Sequence, residues 1–339
     1  MPTTARSWNA TTSKGRDHVQ KSITLFMGSW PAMNDYRFKM GVLLADTALP
    51  FEKAVGVAKE LDVSYVEYFV EAEKLTDEHA AYCKRFLDDA GLQTHMVGCE
   101  PNPFKTLHID EVELDELGTY PEFARDLENL RRCMSFAQIV EAPQALCSGF
   151  AWPGEFHMPF KRPGPTWATR YAPGGGIIPS AVQERMVAAF RMVAAMADEH
   201  DIDVLLSVHP WEYVNTSRHY REIVEQVGST RFKAKWCPGD AMLAGEFDTV
   251  TTGYENLKPY LTSLHLKDTR TIDGPLCKFE WCELGTGDPD YGALFRSFAR
   301  DRLDVVIAVA SHYEPPGGTP ADGVRLNHRK ALELMEAEQ

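Results

Sequence analysis

Residues 181–237 read AVQERMVAAFRMVAAMADEH, DIDVLLSVHPWEYVNT, SRHYREIVEQVGSTR and FKAKWC. The first segment repeats apolar residues at helical spacing, so a helix is expected over Ala181–His200 with Ser180 as its N-cap. Val204–His209 is a short, nearly continuous apolar run, as in a strand buried on both faces. Ser217–Val227 returns to the helical period, and Phe232–Cys237 is again strand-like. Helix, strand, helix, strand in direct succession predicts a parallel sheet covered by helices.

The same alternation continues in both directions. Further strands are expected at Phe38–Leu44, Val63–Val70, Gln93–Cys99, Pro143–Gly149, Tyr260–Lys267 and Val305–Ala310. Helices are expected from Pro50, over Thr76–Ala90 ending at Gly91, over Glu122–Val140, over Tyr291–Arg300, and up to about Glu336. Eight such units suit a closed barrel better than an open sheet. The prediction is a single α/β domain, a (β/α)8 TIM barrel over residues 37–339. Residues 1–36 are polar and irregular and are expected to form a flexible arm. Three long loops, 100–120, 150–179 and 268–289, each follow a strand's C-terminal end, where barrels carry their active sites.

Composition narrows the partners. A formal net charge of −14 opposes a nucleic-acid partner, which needs a basic face. Seven scattered cysteines, an odd number with no CxxC pair, argue against a disulfide framework or a zinc ribbon. A reducing, cytoplasmic location is expected. No run reaches the ~18 apolar residues of a membrane helix.

Strand parity sorts the possible chemistry, because residues two apart point the same way. Ser207 and His209 share a face, as do Lys235 and Cys237, His265 and Lys267, and Ala308, Ala310 and His312. With these faces inward, His209, Cys237 and His265 are candidate metal ligands at the barrel mouth. Imidazole and thiolate suit zinc, iron or cobalt better than magnesium. Lys267, His209, His312 and Glu212 are candidates for proton transfer. Asp240 and Glu155 are candidates for holding substrate, and Glu67 lies near the end of the second strand. Trp152 and Trp167 in the strand-four loop could stack on a sugar ring; a hydrophobic lid or subunit contact is the alternative. The bland reading for each His is a hydrogen-bonded core residue, and for Cys237 a small buried apolar one.

Four strings carry a resemblance. His265-Leu266-Lys267-Asp268, Glu283-Leu284-Gly285-Thr286-Gly287-Asp288, Trp236-Cys237-Pro238-Gly239-Asp240-Ala241, and Ser311-His312-Tyr313 with Pro315-Pro316-Gly317-Gly318 fall in order on the expected strands. Together they resemble the xylose-isomerase-like sugar phosphate isomerase/epimerase family over roughly residues 38–338. The resemblance implies a TIM barrel and a divalent cation held by Glu, Asp, His and Glu on strands five to eight, with both glutamates moving protons. Only His265 carries over. Ser207 or His209 stands at the strand-five Glu position, Cys237 at the Asp position and Ala310 at the strand-eight Glu position.

The resemblance therefore implies an isomerase, epimerase or dehydratase/lyase acting on a sugar- or polyol-like small molecule through a rewired site. The metal, if held, is zinc, iron, cobalt or manganese. The alternatives are a degenerate barrel that binds a ligand or serves a larger enzyme as a subunit, and a His/Cys transition-metal redox enzyme. Assembly as a homo-oligomer or with other subunits is expected.

Overall fold

The computed structural model describes residues 36–152, 175–273 and 278–338. Eight parallel strands close into a barrel: β1 (Lys39–Leu43), β2 (Tyr65–Glu71), β3 (Gln93–Glu100), β4 (Gln144–Cys147), β5 (Asp203–Ser207), β6 (Phe232–Trp236), β7 (Leu261–Leu266) and β10 (Val306–Val309). Their spatial order is β1-β10-β7-β6-β5-β4-β3-β2, so each strand pairs with its sequence neighbour within the barrel. Between β7 and β10 the chain adds an antiparallel hairpin, β8 (Asp268–Asp273) and β9 (Lys278–Cys282), in what the sequence suggested was a loop. The barrel unit runs over Arg37–Gln339. The arm expected over residues 1–36 lies outside the described residues except for Tyr36, as do Glu155, Trp167 and most of the 150–179 loop.

The strand pattern sets the layers. Leu43, Met96, Leu146, Leu205 and Ala310 form one buried cluster inside the barrel, with Phe69 packed against it. Parity then turns Val204 and Leu206 outward to the helices and Ser207 inward. Gly98 is required by this packing: a Cβ there would lie 2.4 Å from the Phe69 ring. Outside the sheet, an aromatic chain runs Phe123–Phe104–Phe150–Phe190–Phe232, with ring centroids 5.3, 5.0, 5.1 and 5.4 Å apart. It ties the strand-four end to the helix Ser180–His200.

Several helix ends follow their local chemistry. Thr76 and Thr216 each accept the amide three residues on, and Gly91 and Gly228 end their helices in the left-handed region. Thr319 and Asp322 form a full capping box. Ser180, however, is not a cap. It is the first helical residue, and Pro179, which has no side-chain acceptor, occupies the cap position. No helix among the described residues is long and apolar enough to cross a membrane.

Candidate active site

The C-terminal ends of β5, β6 and β7 put His209, Asp240, Lys235, His265 and Lys267 at one mouth, all buried. Glu67 reaches the same interior from β2. Its carboxylate accepts His265 Nε2 at 2.5 Å and Ser263 Oγ at 2.7 Å. Burial pushes Glu67 up, but the His265 imidazole, with His95 and the Ser263 hydroxyl, outweighs it and leaves the group at about 2. Burial lowers His265 to about 4, so at neutral pH it is a neutral ring donating Nε2–H to a carboxylate. That tautomer leaves Nδ1 as a bare acceptor.

Lys267 and Asp240 form the second unit. Lys267 Nζ donates to Asp240 Oδ2 at 2.9 Å. Burial opposes the lysine's charge, yet Asp240, Cys237 and Asp46 raise it to about 12. Lys267 is thus a fixed ammonium.

Glu212 supplies the third. It sits beyond β5, where the backbone pairs Ala151 with Glu212 in a single antiparallel bridge. Its carboxylate accepts the Gly149 amide at 2.6 Å and lies 3.6 Å from His209 Nδ1. Gly149 makes room: a Cβ there would meet Val214 at 2.7 Å and the carboxylate at 3.2 Å. The next residue, Phe150, is held at φ 63°, a strained conformation of order 1–3 kcal/mol for a bulky side chain. Burial raises Glu212 to about 7, partly offset by the Gly149 amide, Lys105 and Lys235. A loop residue five positions past β5 therefore does reach back to the mouth.

Four polar atoms around this mouth lack a hydrogen-bond partner: Asp46 Oδ2, His209 Nδ1, Asp240 Oδ1 and His265 Nδ1. They come from the ends of four different strands. Buried polar atoms are rarely left unpaired without a ligand or water to complete them. Alongside lies a cavity of about 890 Å³ lined by Asp46, Phe279, Trp281, His312 and Tyr313. The Trp281 and His312 rings stack there, 5.0 Å apart at 29°. Trp152 instead packs on Tyr213, with centroids 5.0 Å apart.

The two strings that follow β7 and β9 explain each other. Asp268 accepts the amides of Thr269, Gly285 and Gly287 at 2.9, 2.8 and 3.0 Å. A Cβ on Gly287 would sit 2.1 Å from the Asp268 carboxylate. The His-Leu-Lys-Asp segment is thereby clamped to the Gly-Thr-Gly-Asp segment. The sequence profile of the xylose isomerase-like TIM barrel family matches residues 55–334.

The chain belongs to that family.

Solved structures of xylose isomerase-like barrels share the fold. The probable 3-DHS dehydratase AsbF involved in petrobactin synthesis from Bacillus anthracis superposes with a TM-score of 0.63 at 14% identity, covering 86% of this chain and 98% of that one. D-psicose 3-epimerase, solved in the presence of D-fructose, gives 0.59 at 15% identity, covering 88% and 98%. A xylose isomerase-like TIM barrel protein from Mycobacterium smegmatis in complex with magnesium gives 0.58 at 13%, covering 91% and 100%. At these identities the likeness is one of fold. No curated protein sequence matches this one.

The residues present do not fit the hard divalent cation that xylose isomerase-like relatives suggest. Ala310 lies in the apolar barrel cluster and offers no donor. Cys237 caps the helix Pro238–Leu243, its sulfur accepting the Asp240 amide at 3.4 Å. Burial pushes its thiol well up, which opposes the thiolate form that a metal ligand would need. Glu67 already holds His265, and two lysines occupy the same mouth. Among the described residues no three His, Cys, Asp or Glu side chains gather as a metal-holding group. His209 and His265 share the inner face with Cys237 without closing on one point.

Sequence reading singled out Lys267, His209, Asp240 and Glu212, which meet here, and noted Glu67. It gave Lys235 a face but no role, and passed over Asp46 and Trp281. Lys235 did leave a signal: a lysine on the inward parity of a buried strand, FKAKW.

Proposed function

We propose that this barrel is an enzyme that moves a proton next to the carbonyl of a small sugar- or polyol-derived substrate, as an isomerase, epimerase or dehydratase/lyase. The observation that carries it is the ring of four unpartnered polar atoms, Asp46 Oδ2, His209 Nδ1, Asp240 Oδ1 and His265 Nδ1, around a carboxyl near neutrality. Each unpaired buried polar atom costs on the order of 1–3 kcal/mol. A polyhydroxylated ligand brings several hydroxyls into one place and recovers that cost. Neutral His209 and His265 accept its hydroxyl protons. Glu212, titrating near 7, takes and returns the α-proton, since a catalytic pKa near the working pH serves both directions. Lys267, fixed by Asp240, holds positive charge against the oxygen that becomes anionic. The Trp281 and His312 wall suits the apolar face of a sugar ring.

A second reading, a barrel that binds such a ligand without converting it, draws on the absence of a glutamate at Ser207, His209 and Ala310, the positions where the family resemblance calls for one on strands five and eight. A His/Cys redox centre has less support, because the Cys237 thiol is occupied as a cap. A small-molecule partner, a cytoplasmic setting and an oligomeric assembly complete the proposal.

The deciding experiment incubates the chain with a panel of aldoses, ketoses and keto-acid sugars in D2O. Proton NMR follows loss of the C–H signal beside the carbonyl. Exchange on at least one substrate, lost at least about 100-fold in Glu212→Gln, is expected. A panel member that raises the melting temperature yet shows neither exchange nor conversion would favour the binding reading and sink the enzymatic one.

A further inference from the structure

We propose that the Lys235 amine forms an imine with the carbonyl carbon of the substrate, so that a protonated imine serves as the electron sink for the carbanion. The inference rests on the reading above only in needing a carbonyl substrate.

Its ground is a contrast between two neighbouring lysines. Both are buried at the mouth, Lys235 at the end of β6 and Lys267 just past β7. Lys267 is tied to Asp240 at 2.9 Å. The Lys235 carbonyl accepts the Val208 amide at 3.0 Å, but its Nζ makes no hydrogen bond or ion pair with any described residue. A lysine inside a barrel, without a counterion and beside a permanent ammonium, is poorly placed to stay charged. Burial, then the repulsion of Lys267, lowers it to about 8, against the pull of Asp240, Glu212 and Glu67. Desolvation with a neighbouring cation is how amines become nucleophiles near neutral pH. A structural lysine would be expected to find a carboxylate. Asp240 and Glu212 both bear on Lys235 electrostatically, yet their close contacts go to Lys267 and to the Gly149 amide.

The step balances with the groups at hand. The Lys235 nitrogen lone pair attacks the carbonyl carbon, and the C=O π pair moves to oxygen. One N–H proton passes to that oxygen through Glu212, giving a carbinolamine. The carboxyl form of Glu212 then gives its own proton to the hydroxyl, which leaves as water while nitrogen forms the C=N⁺ bond. Glu212 ends as a carboxylate, the form needed to take the α-proton. The electron pair so released is drawn onto nitrogen as an enamine. Lysine thereby supplies the electron-withdrawing role for which the mouth lacks a cation-holding set of carboxylates.

The test uses the full-length chain with dihydroxyacetone, pyruvate or D-fructose and sodium cyanoborohydride, which reduces an iminium to a stable amine. Peptide mass spectrometry then locates the adduct on the unmutated protein. The expected result is one dominant adduct on Lys235, with at least about tenfold excess over any other lysine, and its loss in Lys235→Arg. Mapping on the wild-type chain keeps the result meaningful even where the variant folds poorly. No adduct from any probe, or label spread over surface lysines or placed on Lys267, overturns the imine. The D2O exchange measured separately then decides whether the proton-transfer reading stands without it.

Discussion

Glu67 on β2 and His265 on β7 join across the barrel interior, with carboxylate and imidazole 2.5 Å apart and both side chains sealed from solvent. The contact makes His265 a neutral ring of fixed tautomer and directs its free Nδ1 elsewhere. It also puts a pH dependence into the fold. His265 titrates near 6.5 when unfolded and about 4 when folded, so stability is lost as pH falls from 6.5 toward 4. Glu67 is depressed from 4.5 to about 2, so its contribution is present above 4.5 and lost as pH falls through about 2. Both act in the same direction, toward acid lability.

Glu67→Ala should destabilise the chain by about 2–3 kcal/mol, because it leaves the His265 Nε2–H and the Ser263 hydroxyl unpaired in the interior. Glu67→Gln, whose amide oxygen still accepts from His265, should cost less, about 1–2 kcal/mol. His265→Gln should flatten the stability curve between pH 6.5 and 4.5 by up to about 1.4 kcal/mol per pH unit, the limit for one proton. Urea unfolding of the three variants across that range measures all of this. Equal costs for Glu67→Ala and Glu67→Gln would show that the hydrogen bond contributes little.

A second expectation concerns Glu212. Its base form is needed to take the α-proton, so kcat/KM should rise with pH through about 7. Glu212→Gln keeps an acceptor for the Gly149 amide and so should fold normally. Its activity should fall by ~10²–10⁴, and the limb near 7 should vanish. A variant that keeps the limb would assign it to another group.

Asp268→Asn tests the clamp between the two strings after β7. An asparagine has one acceptor oxygen where Asp268 presents two to three amides. Two of those amides, Gly285 and Gly287, share one oxygen. Putting the NH₂ at that position should cost about 1–3 kcal/mol. Hydrogen exchange at Gly285 and Gly287 should speed up in the variant while the β5 and β6 amides stay protected. Uniform acceleration through the barrel would mean that Asp268 holds more than this loop.

The barrel was legible because its strands are apolar runs buried on both faces and its helices repeat apolar residues at helical spacing, with Gly91 as a stop, all local signals. Hairpin β8–β9 was not, since Asp268–Asp273 is almost wholly polar although Asp268 and Thr269 are buried, and Lys278–Cys282 is too short a run to stand out. Parity placed His209, Lys235, Cys237 and His265 on inward faces but could not say what each would bond. Cys237 is a cap because the chain turns into a helix directly after β6, and Glu67 meets His265 only because the sheet closes. Contacts across the barrel, between residues 198 apart, leave no mark in a local pattern. Asp46 was missed for the same reason: it sits in a short turn after β1 and gains its role from lysines on β6 and β7.

The sharpest separation between a rewired site and a decayed one comes from rebuilding the family's carboxylates. In the triple variant Ser207→Glu, Cys237→Asp and Ala310→Glu, aspartate at 237 can still cap the following helix, as aspartate caps well. The glutamate at 310 must displace Leu43, Met96, Leu146 and Leu205, so a loss of ~1–3 kcal/mol from overpacking is expected. Three new carboxylates beside His265 should create a manganese affinity that calorimetry detects and that His265→Ala removes. The same charges would give Lys235 the counterion it lacks and hold its amine protonated. Imine trapping and native turnover should therefore fall together while manganese binding appears. Full native turnover in a correctly folded triple variant would show that these positions, and the unpaired state of Lys235 that they disturb, do not carry the chemistry.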